Sequence, residues 1–262
     1  MKLALDMVGI DKIPADSAIY QSGSGIKKVL MGIDMGVAEL ALARELGYDA
    51  VIAHHPKGAF STFYDIIDVH AEQMIEAGLP EDVAWEAIKD LKEKYVLQSH
   101  TVNTDHAPSF ARLINMPYMN IHYPLDQLGR IRMMRALALN MPENGTIDDL
   151  IKALQTIPEF KEASTNIEVR LGDRDCLAGN YVVAHGAGTN GGYNVAKAYY
   201  DHGIDTVIYI HVHQGDLKKI RSYENSGNLV VTGHIVSDLI GINPFIEKLE
   251  DEGLIVDRVS GL

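Results

Sequence analysis

The sequence predicts an α/β fold with mainly parallel strands, and three observations carry that expectation. Short apolar runs bounded by turn residues alternate with stretches at helical spacing, as expected where helices cover both faces of a sheet. Residues 27–53 read as one complete β-α-β unit. From about residue 167 the same alternation returns, so a second, similar lobe is expected, although no letter-for-letter repeat exists.

The elements follow in order. KKVLMGI at 27–33 is a β-type run; Val37, Leu40, Ala41 and Leu46 then fall near helical spacing, and Gly47 sits where a helix C′ residue belongs. DAVIA at 49–53 is the next strand, ending in His54-His55-Pro56. Residues 61–115 are helical in pattern, with Ala84, Ile88, Leu91 and Tyr95 in one apolar stripe, broken by the polar run SHTVNTDHAP at 99–108. Residues 123–178 read as a connecting segment containing the NMPENGT turn cluster and a helix DDLIKALQ capped at Thr146. Strands follow near 167–171, 180–184, 205–212 and 228–232, with helices to about 202, near 215–225 and from His234, and LIVDRV as the last strand. The expected organisation is a first lobe at 1–122, the connector at 123–178 and a second lobe at 179–262.

Composition narrows the functional classes. With 262 residues, 47% of them hydrophobic and 23% charged, the chain has the make-up of a folded domain with a large core, which excludes a disordered one. A net charge of −13 without any long Lys/Arg run argues against nucleic acid and against anionic membrane surfaces. Cys176 is the only cysteine, so Cys-cluster metal sites and CxxC redox motifs are excluded and any metal must be held by His, Asp or Glu. Asp6 interrupts the N-terminal apolar stretch before it reaches the roughly 7 to 15 residues of a signal-peptide core. No run approaches the ~18 uninterrupted apolar residues of a membrane span. A cytoplasmic location is therefore expected.

Eleven histidines are present, and their placement matters more than their number. His54 and His55 end one strand and His234 follows another after a single glycine, the positions where ligands gather in open α/β sheets. His234 and Asp238 stand four apart at a helix start, on one face, where both can grip one cation. Asp105 lies in the polar interruption. Each feature alone is more often a loop pair, a solvated helix start or a turn former than a ligand set. Together they supply imidazoles and carboxylates for two divalent cations, with Asp105 as the bridge. His211 and His213 alternate on a strand and share a face. Gly186, Gly188 and Gly191 match GxGxxG between a strand and a helix, but the following strand ends in IHVH without the acid that a dinucleotide ribose wants. That loop suits an anion at a helix N-terminus instead. No GxSxG elbow occurs.

The runs VLMGIDMGVAELALARELGYDAVIAHHP, VAHGAGTNGGYNVAKAYYDHGIDTVIYIHVHQGD and NLVVTGHIVSDLIG resemble signatures of the NGG-interacting-factor-three-like family. These are dinuclear-metal proteins, also labelled GTP cyclohydrolase I type 2 homologues. The resemblance covers residues 27–56 and 180–241 and implies two similar α/β lobes facing a shared metal cleft, assembled as a homo-oligomer, commonly a hexamer. It implies His54, His55, Asp105, His234 and Asp238 as metal ligands. Asp238 stands where the family usually has glutamate, and SHTVNTDHA differs in length from the family's His-Thr-Asn-Leu-Asp motif, which leaves His106 and His100 as alternatives to Asp105. His211 and His213 replace a usual glutamate.

Two divalent ions are expected, and the His-rich set favours zinc, iron or manganese over magnesium. The expected activity is metal-dependent hydrolysis of a cyclohydrolase, amidohydrolase or phosphoester kind, on a small-molecule substrate that carries a phosphate or resembles a nucleotide. His211 is then the proton carrier. The alternatives are a non-catalytic metal-binding, metal-delivery or regulatory protein and, more remotely, a nucleotide-binding protein that uses the Gly-rich turn.

Overall fold

Two sheets with the same internal order organise the chain in the computed structural model, which describes residues 1–262. The chain divides into two compact units. The first comprises Met1–Ile66, Glu93–Leu128 and Gly241–Leu262, the second Ile67–Lys92 and Gly129–Ile240.

The sheet of the first unit holds β1 (Ala18–Gln21), β2 (Lys28–Gly32), β3 (Ala50–Ala53), β4 (Tyr118–Asn120) and β9 (Ile255–Val259), in the order β1-β4-β3-β2-β9. β9, β2, β3 and β4 run parallel, and β1 alone is antiparallel on the edge. Because side chains alternate along a strand, β2 and β3 feed two cores. Val29, Met31, Ala50 and Ile52 face α1 (Lys2–Val8) and the C-terminal part of α11 (His234–Asp251), where Phe245, Ile246 and Leu249 pack. Leu30, Val51 and Tyr118 face α2 (Val37–Glu45) and α5 (His106–Leu113) through Leu40, Ala43, Ala107 and Ala111. Burial on both faces explains why these strands are apolar without alternation; each large aliphatic side chain so covered contributes about 1.5–3 kcal/mol.

The sheet of the second unit holds β5 (Glu168–Leu171), β6 (Tyr181–Val183), β7 (Thr206–Tyr209) and β8 (Asn228–Val231) in the order β5-β8-β7-β6. β8, β7 and β6 are parallel and β5 is the antiparallel edge. One face packs Val183, Ile208 and Val230 against Met133 and Leu137 of α6 (Tyr123–Asn140) and Leu150, Ile151 and Leu154 of α7 (Ile147–Leu154). α7 starts on the expected cap: Thr146 Oγ1 accepts the Asp149 N–H at 3.2 Å, and Asp149 accepts the Thr146 N–H at 3.0 Å. α9 (Gly192–Asp201) lies against β7 and against α10 (Gln214–Ser222). The remaining helices are α3 (Asp68–Glu76), α4 (Glu81–Ser99) and α8 (Pro158–Glu162). No helix is long and apolar enough to cross a membrane.

Numbered by position, the first four strands of the first unit and the four of the second follow one topology: edge, then fourth, third and second strand. The segment 123–178 supplies α6, α7, α8 and β5, and α6 begins in the first unit at Tyr123 and continues through the second.

The turn from β8 into α11 depends on Gly233. Its φ of +104° disfavours any L side chain, and a Cβ there would lie 2.7 Å from Thr165 Oγ1. Gly233→Ala is expected to destabilise the protein by about 2 kcal/mol through left-handed strain and the displaced Thr165. A lowered thermal midpoint checks this; an unchanged midpoint refutes it.

Candidate metal centre

β3 delivers the first two histidines, and pairing continues past its end. The His54 N–H donates to Gly32 O and the His55 N–H to Ile33 O, both at 3.0 Å, so the pair leaves the sheet on a fixed backbone. After β4 the chain turns at His122, four residues before Asp126 on the first turn of α6. His54, His122 and Asp126 are buried. One ligand atom from each of His54, His55 and His122 falls within 4.8 Å of the others, and the ring centroids lie 4.8 to 5.7 Å apart. Asp126 joins them through Oδ1, 3.2 Å from His54 Nε2, and Oδ2, 3.7 Å from His122 Nε2.

All three imidazoles are held from behind at the same atom. His54 Nδ1–H donates to Ile121 O at 3.0 Å, His55 Nδ1–H to Asp34 Oδ1 at 3.2 Å, and His122 Nδ1–H to Asp16 Oδ2 at 2.8 Å. A carbonyl or carboxylate oxygen accepts, so each Nδ1 carries a proton, and the neutral form of each ring has its lone pair at Nε2, the tautomer a metal ligand needs. Asp16 is itself fully buried. It accepts the Ser17 hydroxyl at 3.2 Å, and Ser17 Oγ accepts the His122 N–H at 2.9 Å. Asp34 also accepts from Lys57 Nζ at 2.9 Å. Burial works against a charged His122, but the Asp126 and Asp16 carboxylates outweigh it and hold its pKa above the ordinary imidazole value. Asp34 is held below the usual carboxylate range: its partial burial opposes this and is outweighed by Lys57 and His55.

In the second unit, His234 opens α11, and its Nε2 lies 3.5 Å from Oδ2 of buried Asp238. The His211 ring stands 4.8 Å from the His234 ring and 5.4 Å from the exposed His213. Burial, then the neighbouring His234 and His213, push the His211 pKa down to about 4 against the pull of Asp238. His211 is therefore neutral near pH 7, not an imidazole titrating there. His185 is buried, with its carbonyl accepting from Gln73 Nε2 at 2.7 Å.

Several expected roles fall elsewhere. Asp105 starts α5 on the solvent side with its side chain 61% exposed, and it binds Arg112 Nη2 at 2.6 Å. It is not among the donors clustered with His54; Asp126 is the carboxylate there. His100 and His106 are exposed as well, and His106 packs edge-on against Phe110. The Gly-rich turn also differs from the expected anion cradle. Gly186, Gly188 and Gly191 do adopt positive φ, but the N–H groups at the start of α9 are already taken. Gly191 N donates to Thr189 Oγ1 at 3.1 Å, Gly192 N to Asn190 Oδ1 at 3.0 Å and Tyr193 N to Asp216 Oδ1 at 3.2 Å, and that last carboxylate would repel an anion.

Sequence reasoning missed His122, Asp126 and Asp16. For the first two a signal existed: His122-Tyr-Pro-Leu-Asp126 has the His-x3-Asp spacing of His234 to Asp238, each just after a parallel strand.

A crystal structure of a NIF3 superfamily protein from Sphaerobacter thermophilus matches with a TM-score of 0.97 and 47% identity, over 100% of this chain and 96% of that one. The chain belongs to the NIF3 superfamily. Reduced HcgD from Methanocaldococcus jannaschii shares the fold, with a TM-score of 0.55 and 14% identity over 97% of this chain and 91% of that one. The protein ybgI, described as of unknown function, does so with a TM-score of 0.53 and 17% identity over 99% and 95%. No family model and no curated protein sequence matches the chain. NIF3 membership agrees with the expected α/β class and with a His/Asp set able to hold metal ions.

One buried histidine of this NIF3 chain sets a pH dependence outside the ligand set. His70 is fully buried on α3, its Nε2 is 2.9 Å from Thr189 Oγ1, and burial lowers its pKa to about 4. The unfolded chain binds that proton near pH 6.5, so stability falls with acid between about pH 6.5 and 4. Metal-free protein should lose about 2 kcal/mol from His70 between pH 7 and 5. Urea unfolding of His70→Gln, in which this part of the slope should vanish, checks it; an equal slope in both proteins refutes it.

Proposed function

We propose that this NIF3 protein binds two divalent metal ions per chain and uses them in hydrolysis. The observation that carries the reading is the common orientation of His54, His55 and His122, each fixed at Nδ1, with Nε2 of His54 and of His122 beside Asp126. Core packing alone gives no reason to anchor three neighbouring imidazoles at the same nitrogen, whereas ligation of cations through Nε2 does. His54, His55, His122 and Asp126 in the first unit and His234 and Asp238 in the second are the proposed ligands. The imidazole-rich set favours zinc, iron or manganese. A divalent ion held there supplies a water of lowered pKa, from about 15.7 toward about 7, and polarises a carbonyl or phosphoryl oxygen.

The residues divide the remaining work. Asp16 and Asp34 orient His122 and His55, and Lys57 holds Asp34 ionised. Asp126 presents one oxygen to His54 and the other to His122 and would add a carboxylate to the imidazole donors. The substrate class is a small molecule with a hydrolysable carbonyl, amidine or phosphoryl group. The homo-hexameric assembly implied by the resemblance belongs to the proposal.

Metal content after chelator-free purification tests it. The parent should carry two equivalents, and His54→Ala, Asp126→Asn and His234→Ala should each carry one or none. Loss of both ions in any single variant indicates one coupled dinuclear centre, as the resemblance implies; loss of one indicates separate sites. Equal metal content in parent and variants, or none in any, defeats the reading. Asp16→Asn leaves every ligand in place but removes the anchor of His122, and should weaken metal affinity by about 10- to 100-fold in a competition titration with a chelating dye. Unchanged affinity would deny Asp16 its role.

A further inference from the structure

His211 is oriented oppositely to the imidazoles of the first unit. Its partner is Asn190, which is buried in the Gly-rich turn. The amide of Asn190 can be assigned without ambiguity: one atom accepts the Gly192 N–H at 3.0 Å and is therefore Oδ1, while the other lies 2.7 Å from His211 O, a carbonyl that only accepts, and is therefore Nδ2. That same Nδ2 has a second hydrogen and stands 3.1 Å from His211 Nδ1. Nδ1 must accept it, so the ring proton resides on Nε2.

We propose that Asn190 is a positioning residue that locks His211 as the neutral Nε2–H tautomer, making His211 a hydrogen-bond donor to an oxygen of the substrate and neither a metal ligand nor a general base. A neutral imidazole has one lone pair, and here it is committed to Asn190, which leaves none for a cation or for an incoming proton. The Nε2–H is what remains to meet a carbonyl or phosphoryl oxygen. This also gives the Gly-rich turn a purpose: its Thr189 and Asn190 side chains take the N–H groups of Gly191 and Gly192, and Asn190 then holds His211. The inference rests on the metal-binding reading only for where His211 acts; the tautomer stands on the turn alone.

The test uses protein labelled with 15N in histidine and two-bond 1H–15N correlation spectra at pH 8, with His211 identified by the signals missing in His211→Ala. Metal-free parent should show Nε2 protonated and Nδ1 bare. Asn190→Asp turns the donor into an acceptor and should move the proton to Nδ1, as in His54, His55 and His122. In parallel, His211→Ala loaded with zinc should retain the parent's zinc content while His234→Ala loses it. A protonated Nδ1 in the parent overturns the proposal, as does zinc loss in His211→Ala. Should Asn190→Asp not fold, the parent spectrum decides alone. A parent that takes up no zinc defeats the metal reading and leaves the tautomer result valid.

Discussion

The hydrogen bond at the rear nitrogen of each histidine is the constraint on which the rest of the site depends. An imidazole is ambivalent: either nitrogen can carry the proton, and the ring can turn about its bonds. In the first unit the choice is made by acceptors that cannot move or change role. Ile121 O belongs to the backbone immediately after β4, Asp16 is sealed in the interior, and Asp34 is kept ionised by Lys57. The fold thereby delivers lone pairs as well as rings, and it does so from three points on two parallel strands.

This arrangement explains why the strands are placed as they are. His54 and His55 emerge from β3 and His122 from the neighbouring β4, strands that pair in parallel register from Val51↔Tyr118 to Ala53↔Asn120. Parallel pairing brings both carboxyl ends to one rim, so two loops far apart in sequence converge without any long excursion. The second unit repeats the plan with β7 delivering His211 and β8 delivering His234. The two units differ in how they treat the first of these rings. A carbonyl stands behind His54, whereas an amide hydrogen stands behind His211.

Much of this was legible in the letters. Strands covered on both faces are apolar without interruption, so β2, β3, β7 and β8 stood out, and His54, His55, His234 and Asp238 were visible because they follow such runs directly. β4 is three residues long and gave no comparable signal, which hid His122 and Asp126 behind it. α6 was hidden for another reason: Arg130 is buried beside Leu125, Met133 and Leu137, while Ile131 and Leu139 are exposed, so no clean apolar stripe marks the helix. Asp105 drew attention through a spelling, His and Thr and Asn before an acid, whereas the informative property was a spacing of four at a helix start. Asp16 had no signal at all, since its partner is 106 positions away and only the β1 to β4 edge brings the two together.

The placement of β9 has a consequence for how the molecule is made. The strands of the second unit occupy one unbroken stretch, from Glu168 to Val231. The first unit instead needs β9 against β2 and the end of α11 against its core, both drawn from Gly241–Leu262. On a ribosome the half that begins first is therefore finished last, with the edge of β2 waiting while more than two hundred residues are added. Exposed strand edges invite wrong partners during such a delay, so the edge of β2 is open to mispairing until β9 has been made.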